Sequence, residues 1–122
     1  LYMCHVDKRP DVGLHRELAQ VGVLLGYDTF ARPKYDPDRG VWMLIKTLVA
    51  HGLGTQIAIG LDMALASMWE QYGGEPGLCF LPNHIVLRLR AEGIPAATIH
   101  QLTAANIAQR LVWRRNGTKE SP

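Results

Sequence analysis

At 122 residues with 48% hydrophobic side chains, the chain has a soluble-globular composition and the length of one domain or less. Thirteen basic against eleven acidic residues leave a formal charge of +2, too mild to indicate nucleic acid, and no apolar run approaches the roughly 18 residues of a membrane span or carries signal-peptide flanks. Nucleic-acid and membrane partners are therefore not expected, and a cytoplasmic location is.

The chain opens directly on strand-like Leu1-Tyr2-Met3-Cys4, with no leader or cap, which suggests a piece of a longer protein. This strand ends at His5 and gives way to the polar loop Val6 to Asp11. Leu14, Leu18 and Val21 recur at i, i+4 and i+7 as one face of a short helix closed by Gly22. Val23 to Tyr27 reads as a second strand and finishes on Asp28. An irregular segment from Thr29 to Asp38 follows, where Pro33 and Pro37 bar regular structure. Val41, Leu44, Ile45, Leu48 and Val49 then give the stripe of an amphipathic helix, terminated by His51-Gly52.

Gln56 to Asp62 is the third strand. Period two puts Ile57, Ile59 and Leu61 on a bulky face that packs on helices, and Ala58, Gly60 and Asp62 on a small face with room around the carboxylate. A long connection, rich in glycine and aromatic residues, runs on to Phe80; connections of that length are usually functional or disordered. Helices are expected around Asn83 to Glu92, after Pro95, and from Thr103, as N-cap, to Trp113, the last burying Ala104, Ile107, Ala108, Leu111 and Val112. Residues 114–122, with Arg114, Arg115 and Lys119, read as a solvated polar tail after a 1–113 domain. Cys4 and Cys79 lie far apart, and buried reduced thiols are the default. His15, His51, His84 and His100 read as surface or capping residues.

Alternating strands and helices imply an α/β fold with a parallel sheet. Three strands leave open whether that sheet is open or closed. A (β/α)8 barrel of about 250 residues allots roughly 30 to each strand-helix unit, and His5, Asp28 and Asp62 end successive strands at about that interval. Side-chain parity groups Asp62 with Gly60 and Ala58, Asp28 with Gly26 and Leu24, and His5 with Met3, so two glycines below the tips would empty the upper lumen.

His5-Val6-Asp7-Lys8-Arg9-Pro10-Asp11, Gly26-Tyr27-Asp28, Lys34-Tyr35-Asp36-Pro37, Gly60-Leu61-Asp62 and Tyr72-Gly73-Gly74-x-x-Gly77, in this order, resemble the C-terminal part of phosphotriesterase-like hydrolases of the amidohydrolase superfamily. The resemblance implies strands six, seven and eight of a TIM-type (β/α)8 barrel with helices outside. It implies a site for two divalent, zinc-like metals, with His5 and Asp62 as ligands and Asp62 as general base toward a metal-bridging hydroxide. The substrate class would be small-molecule esters, lactones or phosphotriesters, and the full protein a possible homodimer. Asp28 matches a family position at the strand-seven tip, where an orienting or structural role is expected ahead of ligation, and Arg32, Lys34, Tyr35, Met63, Trp69 and Tyr72 are pocket candidates alongside it.

Three departures stand out. Lys8 and Thr29 occupy positions where many members carry Asp and His or Arg, which puts any proton relay in doubt. Asn106-Ile107-Ala108-Gln109 replaces the usual Asn-Pro-x-Arg, a change expected to act on helix-start geometry. The His-x-His pair of strand one, the bridging ligand of strand four and the histidine of strand five are not in this chain, so it is expected to be inactive and unstable without the remaining strands. The competing expectation is a non-catalytic barrel remnant that serves as a binding or interaction module.

Overall fold

The computed structural model describes residues 1–112, so the tail read over 114–122 and the end of the last helix at Trp113 lie outside the described residues. Three short parallel strands, β1 (Tyr2–Met3), β2 (Leu24–Tyr27) and β3 (Ile57–Ile59), form one sheet in chain order. Tyr2 pairs with Leu24, Leu25 with Ile57, and Tyr27 with Ile59. Parallel neighbours need crossovers, and the helices α1 (Val12–Gln20) and α2 (Pro37–Ala50) supply them.

The α2 stripe falls where the periodicity put it. Val41, Leu44, Ile45 and Leu48 are buried against Leu25, Tyr27, Ile57 and Ile59 of the strands. Full burial of such side chains stabilises by about 1.5–3 kcal/mol each. Ile85 and Leu89, from a π-helical turn (Leu81–Ile85) and α3 (Val86–Ala91), complete this helix-side core with Ile99 and Leu102. No described helix is long and apolar enough to cross a membrane.

Several expectations are corrected. In α1, Leu14 and Val21 are exposed, whereas His15 and Ala19 are buried with Leu18 half-covered. Asp11 accepts from the Leu14 amide and starts the helix at Val12. A histidine is tolerated on the inward face because both ring nitrogens are satisfied, Nε2 by the Arg9 carbonyl at 2.8 Å and Nδ1 by the Tyr27 hydroxyl at 2.6 Å. His15 is thus a buried residue, not a surface one.

The last helix also takes a different phase. Backbone conformation stays right-handed from α4 (Ala96–His100) through a π-helical segment (Gln101–Ala105) into α5 (Asn106–Leu111). Thr103 is therefore internal, its hydroxyl donating to the Ile99 carbonyl, and it caps nothing. Ile99, Leu102 and Asn106 face inward, while Ala108, Leu111 and Val112 are exposed. Asn106 lies within this continuous right-handed run, although α5 is counted from it; its side-chain amide donates to the carbonyls of Gly54 and Ile57 and pins the helix to the start of β3. Finally, both cysteines are exposed: Cys4 follows a strand with a neighbour on one side only among the described residues, and Cys79 sits in a loop.

Candidate active site

Three strand tips converge at the C-terminal end of the sheet, two of them in left-handed backbone. His5 has φ 61° and Asp62 φ 48°, two of the three described non-glycine residues with positive φ. Such conformations are costly for side-chain-bearing residues and concentrate at functional sites. At Asp62 the turn is tight enough for the Ala64 amide to reach the Asp62 carbonyl at 2.8 Å.

The left-handed turn at His5 also overrides strand parity. Met3 pairs with Leu25, a helix-side residue, so His5 does not share a lumen face with Met3. Tyr2 takes that face with Leu24 and Gly26, and the positive φ swings the imidazole back toward β2. Nor is the space above Gly26 empty, because a Cβ there would lie 2.5 Å from the Tyr2 hydroxyl oxygen. The Tyr2 phenol stays protonated above its ordinary range, first through burial and next through the Asp28 carboxylate. Only Gly60 leaves room, a Cβ there coming no closer than 3.7 Å, to Asp28 Cβ.

His5 Nδ1 donates to Asp28 Oδ1 at 2.6 Å and lies 4.0 Å from Asp62 Oδ2. Asp62 Oδ2 in turn accepts from Arg32 Nη2 at 2.6 Å, and the same nitrogen reaches the Asp62 carbonyl at 3.2 Å. Burial raises the Asp28 pKa; the His5 hydrogen bond opposes the shift, and the neighbouring charges of Asp7 and Asp62 add to it. His5, Asp28, Arg32 and Asp62 are thereby brought together.

The remaining candidates lie apart from these four. Lys34 and Lys8 flank the Tyr35 ring at 4.9 and 5.0 Å and hold its phenol pKa below the usual value, the Lys34 hydrogen bond leading. A cleft of about 370 Å³ beside Tyr35 is also lined by Asp7, Thr29 and Arg39. Met63 packs on the helix-side core, its carbonyl accepts from the Trp69 indole at 3.1 Å, and Tyr72 is exposed. In this connection Gly74 lies against the Ser67 backbone, where a Cβ would collide with the Ser67 carbonyl oxygen.

One residue of the network, Asp7, is marked in the sequence only as part of a polar loop and of the family-like stretch from His5 to Asp11, with no role of its own. Asp7 is buried and accepts from the amides of Asp28 at 3.2 Å and Thr29 at 2.8 Å, and from the Thr29 hydroxyl. Thr29 is thereby bound to this carboxylate through both its amide and its hydroxyl.

The donors fit a divalent metal in part. With the proton on Nδ1, His5 keeps its Nε2 lone pair, and Nε2 has no hydrogen-bond partner among the described residues; a carboxylate behind the far nitrogen is the usual support of a histidine ligand. Asp62 adds an oxygen donor. No group of three metal-ligating side chains occurs among the described residues, and a catalytic zinc takes three protein ligands, so the described side chains would not complete such a site by themselves.

Comparison with known proteins agrees with this architecture. The model of the phosphotriesterase family matches residues 1–111. A lactonase from Listeria monocytogenes is 25% identical, covered over 94% of this chain and 36% of its own, with a TM-score of 0.84. An amidohydrolase from Mycoplasma synoviae is 28% identical over 86% of this chain and 31% of its own, with a TM-score of 0.79. A phosphotriesterase homology protein from Escherichia coli, crystallised with phosphate in its active site, shares the fold at 21% identity and a TM-score of 0.80, over 88% of this chain and 37% of its own. The chain thus spans about a third of the length of these structures, and its sheet and helices are part of a TIM-type barrel. No curated protein matches it.

Proposed function

The chain belongs to the phosphotriesterase family, and from that premise we propose that it supplies the last three strands of a metal-dependent hydrolase acting on esters, lactones or phosphotriesters. The observation that supports this reading is the meeting of His5, Asp28 and Asp62 at one end of a parallel sheet, with His5 Nδ1 2.6 Å from Asp28. His5 and Asp62 would be ligands, completed by donors from strands outside this chain. Divalent metal ions, when bound, lower the pKa of water and polarise the carbonyl or phosphoryl oxygen under attack.

The side chains divide the remaining work. Asp28 orients the His5 imidazole and keeps its proton on Nδ1. Asp62 is the general base, since its second carboxylate oxygen, Oδ1, is free of the Arg32 contact. Arg32 holds the Asp62 carboxylate in one rotamer and brings positive charge to the rim, where an anionic transition state would develop.

That same contact favours a second reading, a non-catalytic barrel remnant, because a guanidinium 2.6 Å from Asp62 already neutralises the carboxylate a metal would need. Metal content of the intact barrel and a panel of lactones, esters and phosphotriesters separate the two. The enzyme reading expects bound divalent metal, turnover of at least one panel member, and a loss of about 10²- to 10⁴-fold in kcat/KM for Asp62→Asn at unchanged unfolding midpoint. An intact barrel with neither metal nor turnover leaves the binding module.

A further inference from the structure

The β1–β2 ladder ends early. Its last paired residues are Met3 and Leu25, yet the tips that carry the candidate chemistry lie beyond them, at His5 and Asp28. The Asp7 side chain continues the connection where the backbone stops. The turn begun by the left-handed His5 closes with the Lys8 amide on the His5 carbonyl and the Arg9 amide on Val6, and it directs the Asp7 carboxylate inward to 5% exposure.

A buried carboxylate is costly unless its lone pairs are met. Here no cation pairs with it among the described residues, and all three of its donors belong to two consecutive residues of the β2 tip, the amides of Asp28 and Thr29 and the Thr29 hydroxyl. The contacts between the tips are therefore reciprocal. Asp7 from the first tip grips the backbone of the second, and the Asp28 side chain from the second grips the imidazole of the first.

We propose that Asp7 is a positioning residue for His5: by fixing the Asp28-Thr29 backbone it aims the Asp28 carboxylate at Nδ1 and so holds the imidazole in the tautomer with a free Nε2. This rests on the reading of His5 as a metal ligand. A carboxylate is required because two amides and a hydroxyl converge on it; an asparagine would turn an NH2 donor toward at least one of them. Thr29 is required for its hydroxyl, which serine would supply and valine would not.

The test uses the intact barrel with ¹⁵N-labelled histidine, the His5 signals being assigned by their loss in His5→Gln. In metal-free wild-type protein the His5 shifts should report the proton on Nδ1. Asp7→Asn should give a mixture of tautomers and weaken Zn²⁺ binding by about 10- to 100-fold. Thr29→Val should move both readouts the same way by a smaller factor, and Thr29→Ser should restore them. Wild-type tautomer shifts and zinc affinity in Asp7→Asn, accompanied only by a lower unfolding midpoint, would overturn the proposal; if that variant does not fold, unchanged His5 shifts in Thr29→Val would do so. A wild-type barrel that takes up no zinc, but whose His5 tautomer responds to Asp7, would sink the hydrolase reading and leave this inference standing.

Discussion

One face of the three-stranded sheet sends Leu25, Tyr27, Ile57 and Ile59 into a continuous apolar core with α2 and the C-terminal helices. The opposite face carries Tyr2, Leu24, Gly26 and Ala58 and rises to a rim where His5 bonds Asp28, Asp7 bonds the Asp28-Thr29 backbone, and Arg32 bonds Asp62, 4.0 Å from the His5 imidazole. On the first face free energy comes from area removed from water, which is non-directional and tolerant of detail. On the second it depends on which donor meets which acceptor, so a change of one atom type alters the arrangement. The two faces should therefore answer to different substitutions.

The largest expected effect lies on the helix side. Leu48 is fully buried in α2, and Leu48→Ala should cost about 2–5 kcal/mol through lost burial and the cavity left behind. Chemical denaturation of the intact barrel measures it, and kcat/KM per folded molecule should stay within about twofold. A large fall in kcat/KM at unchanged stability would show that the two faces are not independent.

At the rim the opposite dissociation is expected. Asp28→Asn replaces a carboxylate that can only accept with an amide whose NH2 can turn toward Nδ1 and shift the His5 proton to Nε2, so metal affinity should fall by about 10- to 100-fold, equivalent to about 1.4–2.7 kcal/mol. Stability should not fall with it, because burial already disfavours the ionised Asp28 carboxyl. Metal titration and denaturation of the same variant decide the point, and loss of both together would make Asp28 a structural residue.

The same division explains what was legible in the sequence. Strand alternation and the α2 stripe follow from local period, which Ile57, Ile59, Leu44 and Leu48 display directly, and the tip positions of His5, Asp28 and Asp62 followed from strand ends. Asp7, His15 and Asn106 were not legible in these roles. Each is a polar residue buried by partners 12 to 52 positions away, and no local pattern distinguishes a polar residue satisfied at long range from one in water. The phase of the last helix failed for a related reason: Ile99 and Leu102, seated against the core, and Asn106, bonded to Gly54 and Ile57, fix its rotation, and the Leu111-Val112 pair counted in the predicted stripe stays outside.

The two histidines that meet neighbouring strand tips give the smallest and sharpest test. His5 faces a carboxylate, whereas His15 faces the Tyr27 phenol and the Arg9 carbonyl, both neutral. Because Arg9 offers only an acceptor, His15 Nε2 carries the proton and Nδ1 accepts from the Tyr27 hydroxyl, whose own pKa is raised by burial. Burial lowers the His15 pKa, outweighing the Arg9 hydrogen bond. Between that lowered value and the unfolded value of about 6.5, the unfolded chain binds a proton that the folded one does not. Stability is then fully present above about pH 6.5 and declines as pH falls toward the folded pKa, with a slope of at most about 1.4 kcal/mol per pH unit. His15→Gln keeps a donor for the Arg9 carbonyl and does not titrate, so urea midpoints of the intact barrel between pH 5 and 8 should lose this component. An unaltered pH profile in the variant would mean that His15 takes up a proton as readily in the folded chain as in the unfolded one, and that the neutral, helix-side character assigned to its surroundings is mistaken.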